Sequence, residues 1–237
     1  MDLVQEIKKE LLRYAEPDKA AFLPKFFKTG PGGYAEGDIF IGVTVPYQRK
    51  VAKKFYQQIQ LDDVEQLLHE PIHEYRLTAL FMLVYRYEKL KTETEKKTVV
   101  DLYLANTAQI NNWDLVDSSA DKILGAYLLD KKKDILYELA NSNDLWKQRI
   151  AVIATFNFIK HNRYDDTLNI AVLLLPHKHD LIHKAVGWML REIGKRDFQV
   201  EFNFIKEHYR QMPRTMLRYA IEKFEEDLRQ QFLKGLV

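Results

Sequence analysis

The chain has 237 residues, 46% of them hydrophobic and 30% charged, with a net charge of +2. That length allows one large domain or two small ones, and the balance excludes a disordered tail or a fibre. The absence of cysteine excludes a disulfide framework, a thiolate zinc site and a cysteine nucleophile, and it suits a reducing cytosol. The opening residues contain no apolar h-region, and no apolar run is long enough to cross a bilayer, so a cytoplasmic protein is expected. Because the charges nearly cancel, nucleic-acid binding would require a one-sided distribution of them.

The periodicity is helical nearly throughout. Leu3, Ile7, Leu11 and Leu12 form a first apolar stripe at spacings of three and four, which is one face of a helix. The segment from Thr29 to Val45 then breaks the pattern. It holds five of the nine glycines, and Ile39, Ile41 and Val43 alternate in a strand-like way. A Gly-rich loop or short β-hairpin inserted near residues 29–43 is expected; its glycines fit neither a Walker loop nor a dinucleotide fingerprint. Helical stripes resume at Val64, Leu67 and Leu68 and at Leu77, Leu80, Phe81 and Val84. Others follow near 95–105, 113–129, 134–140, 145–159, 164–175, 181–193, 200–208 and 214–224, with Asn143 or Asp144 as an N-cap.

Five of these helices repeat a pattern of one polar, one apolar and one small or β-branched residue. The polar positions are Arg76, Asp117, Arg149, Lys184 and Arg218, at separations of 41, 32, 35 and 34. Two helices per repeat at this period indicate a right-handed α-solenoid of HEAT-like helical repeats, built as a single domain over 1–237. A plain helical bundle is the alternative. In a solenoid the five polar positions would share one curved surface, and Arg76, Lys184 and Arg218 become candidates for DNA binding.

The densest chemical cluster is NNWDLVDSS, residues 111–119. Trp113 and Asp117 are four apart and stack on one helical face, whereas Asp114 is expected to point elsewhere. An indole beside a carboxylate can cradle a cation, although a tryptophan on an amphipathic helix is more often core. Trp146 and Arg149, and Trp188 and Arg191, are each three apart. Arg149 could clamp a phosphate or hold Asp117 in an ion pair between repeats. Basic residues cluster at 47–60 (Arg49, Lys50, Lys53 and Lys54, with no acid), at 145–165 and at 205–223. Such clusters suit a phosphate backbone or a solvated helix face equally well. His179 and His183 are four apart but lack an evident third metal ligand.

The segments NNWDLVDSSADKILG, LWKQRIAVIATF and HDLIHKAVGWMLREIGKRD resemble the AlkD family of DNA alkylation-repair proteins. The resemblance runs from the FFKTG segment to MPRTMLRYAIEKF. It implies a solenoid of HEAT-like repeats. It also implies a DNA glycosylase that hydrolyses the N-glycosidic bond of cationic N3- or N7-alkylated purines in duplex DNA. That chemistry uses no metal or organic cofactor and draws no base into a pocket. Trp113 and Asp117 match the family's catalytic pair, Arg149 its arginine near the lesion phosphate, and Trp188 its second lesion-site tryptophan. Phe26 stands where some members have a tyrosine. Arg191, Arg49 and Lys50 join Arg76, Lys184, Arg218 and Phe26 as expected DNA contacts, and the protein is expected to act as a monomer.

The segment 29–43 is longer than in the best-known members, and relatives with a hairpin inserted there look like DNA-structure binders. A non-catalytic module that binds damaged or branched DNA is therefore the alternative to a glycosylase.

Overall fold

A computed structural model describes residues 2–237, and among them the regular structure is entirely helical. The chain forms two compact units, residues 1–123 and 124–237.

In the first unit, α1 (Leu3–Leu12), α2 (Pro17–Phe26), α3 (Val45–Phe55) and α4 (Leu61–Leu68) lead into the long α5 (His73–Tyr87). Helices α6 (Glu93–Ala105) and α7 (Trp113–Ser119) follow. Two layers stack: α3 packs on α5 and α5 on α7, while α1 packs on α4 and α4 on α6. The apolar stripes explain this. Val4, Ile7 and Leu11 on α1 and Val64, Leu67 and Leu68 on α4 are fully enclosed. Helix α5 carries little amphipathic asymmetry because it is covered on nearly every side, and all of its residues from His73 to Val84 are buried. Helix α2 escaped the periodicity reading: it fully buries no residue and carries Pro24 in its interior.

In the second unit, α8 (Ala126–Leu128), α9 (Asp134–Ala140), α10 (Leu145–Ala154), α11 (Phe156–Lys160) and α12 (Asp165–Leu174) come first. Helices α13 (Asp180–Gly194), α14 (Phe198–His208), α15 (Arg214–Ala220) and α16 (Glu226–Lys234) complete the chain. Here α10 packs on α13 and α13 on α15, with α9 against α12 in the other layer. Asp144 caps α10 as expected, accepting from the amides of Trp146 and Lys147 at 2.8 and 2.9 Å. Helices also approach closely at Gly187 of α13, where a Cβ would lie 2.5 Å from the Met216 carbonyl and from Tyr219 Cβ of α15.

The two-layer stacking within each unit is that of helical repeats. The five-residue polar column falls on stacked helices in both: Arg76 and Asp117 on α5 and α7, and Arg149, Lys184 and Arg218 on α10, α13 and α15.

Of the two forms expected for 29–43, the structure adopts the loop. The strand-like alternation forms one parallel bridge, Ile39 to Ile72, and no strand among the described residues. A carboxylate takes the place of a neighbouring strand. Glu74 accepts from the amides of Ile41, Gly42 and Val43 at 2.8–3.2 Å. Gly42 is required where it stands: its φ is +81°, and a Cβ would come within 2.1 Å of the Glu16 carbonyl.

Candidate active site

Helix α7 begins at Asn112, which is buried and whose Oδ1 accepts from the Trp113 amide at 2.8 Å. That cap places Trp113 at the first position of the helix, with Asp114 and Asp117 three residues apart on one face. The Trp113 ring stacks on Phe27 at 5.3 Å and meets Phe26 edge-on at 6.1 Å. Its Nε1 donates to the Tyr34 hydroxyl at 3.3 Å. A hydroxyl from the Gly-rich loop thus reaches the tryptophan, although position 26 itself is a phenylalanine.

Beneath this face lies a buried ionic network. His73 donates through Nδ1 to Asp38 at 3.0 Å and through Nε2 to Asp114 at 2.8 Å. Burial opposes its charge, but Asp114 and Asp38 outweigh that cost and raise its pKa to about 9. An imidazolium at neutral pH therefore lies against the rings of Phe40 at 4.7 Å and Phe27 at 5.1 Å. Asp38 also accepts from Arg76 and from Asn112 Nδ2. Burial raises its pKa, yet His73, Arg76 and Asn112 together hold it below the ordinary carboxylate range. Arg76 donates further to Asn111 Oδ1 and the Gln109 carbonyl. These bonds tie the loop, α5 and the start of α7 into one rigid assembly.

Two expectations change here. Asp114 does not point away from the site, because a spacing of three places it beside Asp117 and the His73 imidazolium holds it there. Arg76 is 4% exposed and its guanidinium is engaged with Asp38 and Asn111, so it positions the loop instead of presenting a charge for a phosphate.

Trp113, Asp114, Asp117 and Ser118 line a cavity of about 390 Å³. Phe27, Phe40, Gln48, Glu74 and Leu77 are its buried walls, and Phe26 and Val45 are exposed at its rim. The first unit thus gathers Asp117, Trp113 and Phe26 around one cavity. Nearby, Arg49 lies over the Phe81 ring at 3.9 Å, and the exposed Lys50 lies 5.3 Å from the Tyr14 ring.

In the second unit, Arg149 is buried on α10 and donates to the Leu181 carbonyl. Trp188 on α13 donates through Nε1 to Glu192 at 3.2 Å and lies 5.7 Å from the Phe156 ring. Burial raises the Glu192 pKa, but Lys195, Trp188 and Arg191 more than offset it and keep the group ionised. Arg191 pairs with Glu222, and Lys184 pairs with Asp180 at 2.6 Å. Arg218 is exposed on α15. His183, half of the histidine pair noted in the sequence, is bonded through Nε2 to the His177 carbonyl.

Sequence reasoning missed His73, Asp38, Glu74, Phe27 and Phe40. Asp38 and His73 are 35 residues apart, and only folding joins them. Buried polar residues opening α5, at the N-terminus of a helix with no exposed face, were the available signal.

Fold and site together define a helical-repeat protein that sets a tryptophan and a carboxylate at an aromatic cavity. The chain belongs to the DNA alkylation repair enzyme family, whose model matches residues 7–224. A solved structure described as a predicted DNA alkylation repair enzyme from Enterococcus faecalis has the same fold, with a TM-score of 0.70. It is 17% identical, over 90% of this chain and 97% of that one. No curated protein sequence matches the chain. Membership gives the protein a role in the repair of alkylated DNA, and among the described residues no helix is long and apolar enough to cross a membrane.

Proposed function

We propose that the protein is a DNA glycosylase for cationic N3- and N7-alkylated purines in duplex DNA. The observation that carries this reading is the placement of Trp113 and Asp117 on one face of α7 at the aromatic cavity, in a chain of the alkylation-repair family.

The chemistry follows from the substrate. Alkylation puts a positive charge on the purine. When the bond from C1′ to the base nitrogen breaks, its electron pair neutralises that charge and leaves the cation on the sugar. A fixed carboxylate stabilises the oxocarbenium-like sugar and orients water onto C1′; the water's proton is released and an abasic site remains. Asp117 takes this role. Trp113 presents an electron-rich face to the developing cation. The resemblance assigns a phosphate contact to Arg149 and a second aromatic surface to Trp188. Lys50, Lys184, Arg191 and Arg218, with Arg49, supply the charge that tracks the backbone.

Asp117→Asn tests the reading. In the ground state the carboxylate faces a polyanion, so it acts mainly in the transition state. The expected result is a loss of about 10²–10³ in the rate of 7-methylguanine release, with duplex affinity retained. Equal rates for the wild type and the variant, including no release by either, end the glycosylase reading and leave a module that binds damaged or branched DNA.

A further inference from the structure

We infer that Tyr34 is a positioning residue for the proposed repair reaction: its hydroxyl, delivered by the Gly-rich loop, holds the Trp113 indole by its N–H and fixes the ring that meets the developing sugar cation. This role deepens the glycosylase reading and rests on it for the reaction.

The loop grips the start of α7 at two neighbouring points. Tyr34 accepts from Trp113 Nε1 at 3.3 Å, and Asp38, four residues on, accepts from Nδ2 of the N-cap Asn112 at 3.0 Å. Asp38 is itself anchored by His73 and Arg76 of α5, so the loop passes the rigidity of that helix on to the indole. The glycines explain how a tyrosine reaches this place. Gly32 has a φ of +73°, and a Cβ on Gly33 would lie 1.8 Å from the Lys28 carbonyl, so the chain turns back on itself immediately before Tyr34. The turn is closed by bonds from the Gly33 amide to the Gly30 carbonyl at 2.9 Å and from the Gly32 amide to Glu36 Oε2 at 2.9 Å.

The indole is thereby held in two directions. Phe27 covers one face, ring to ring at 5.3 Å, and Phe40 backs Phe27 at 5.0 Å. Stacking alone lets a ring slide and turn in its own plane, whereas a hydrogen bond at the N–H edge is directional and stops that motion. The Tyr34 hydroxyl in turn donates to the Phe26 carbonyl at 3.5 Å, which makes a chain from indole through hydroxyl to backbone. A donating indole N–H also leaves more negative charge on the ring, and that strengthens its attraction for a cation. The ring is half-buried, so part of it stays accessible to DNA.

The test is Tyr34→Phe, which removes one oxygen and keeps the ring that packs against Phe27, Ala35 and Phe40. Single-turnover release of 7-methylguanine from duplex DNA should slow about tenfold at saturating protein, with duplex affinity within about twofold of the wild type, because one hydrogen bond is lost and the placement of the indole relaxes. Trp113→Phe supplies the second arm. It already lacks the N–H, so adding Tyr34→Phe to it should slow release no further. In proton–nitrogen correlation spectra, the indole signal that Trp113→Phe removes identifies Trp113, and Tyr34→Phe should move that signal upfield while those of Trp146 and Trp188 stay in place. An unchanged rate in folded Tyr34→Phe, an unmoved Trp113 signal, or equal slowing by Tyr34→Phe in both backgrounds overturns the inference. So does a loss confined to duplex affinity, which makes the hydroxyl a DNA-backbone contact. The two readings fail separately. Release by the wild type and equally fast release by Tyr34→Phe removes the role of Tyr34 and keeps the glycosylase. No release by the wild type ends the glycosylase reading and this role with it, even where the Trp113 signal moves.

Discussion

The two units hold their candidate residues in different ways. In the first, the site is fixed by directional bonds among buried charges: Asp38, His73, Asp114 and Arg76 join a loop to two helices. In the second, Arg149 and Trp188 sit on α10 and α13, whose positions are set by close apolar packing, with Gly187 of α13 nearly in contact with the α15 backbone. An irregular loop has no periodic hydrogen-bond ladder of its own, so it needs side chains such as Asp38 and Glu74 to fix it. Regular helices need only complementary surfaces. The first unit is therefore expected to be sensitive to loss of one charge, and the second to added volume.

The largest effect is expected from His73→Leu. It leaves Asp38 and Asp114 without their shared cation, and breaking a buried ion pair typically costs about 3–5 kcal/mol. Urea unfolding measures it, and a loss below 1 kcal/mol would show that the loop is held mainly by its apolar contacts. Gly187→Val is the counterpart in the second unit. Overpacking against α15 should cost about 1–3 kcal/mol, and an unchanged unfolding midpoint would mean the helices separate without penalty.

Proton linkage sharpens the comparison. Glu201 is buried on α14, and burial, partly offset by Arg191, raises its pKa to about 8 from 4.5. The folded state therefore binds the extra proton between those values. Stability is full below about pH 4.5 and falls as the pH climbs to about 8. Glu201→Gln should flatten that fall and exceed the wild type by about 1–3 kcal/mol at pH 8. His73 titrates in a different window. Its stabilisation is complete below about pH 6.5, the ordinary histidine value, and is lost as the pH rises through about 9. Unfolding curves at pH 5, 7 and 9 separate the two contributions, and a wild type equally stable at all three contradicts both. The smallest effect belongs to the surface. Lys50→Ala should make the slope of log K against log salt shallower by about 0.9 and change stability little. An unchanged slope removes Lys50 from the backbone contacts.

The sequence by itself determined the helical class, an N-cap at Asn143 or Asp144, the pairing of Trp113 with Asp117 and the membership that their motifs announced. Each rests on neighbours within about one turn, where spacing alone dictates which side chains share a face. Alternation at Ile39, Ile41 and Val43 was legible too, but it misled, because alternation makes a strand only where a second strand stands alongside. The tertiary structure supplied Glu74 instead, and with it a loop. It also decided that Arg76 is spent inside the protein, that Asp114 belongs beside Asp117, and that Phe27, Phe40 and Gln48 enclose a cavity. Those outcomes depend on residues tens of positions apart, and whether a charge is buried or exposed is set by what folding brings against it, which local spacing does not encode.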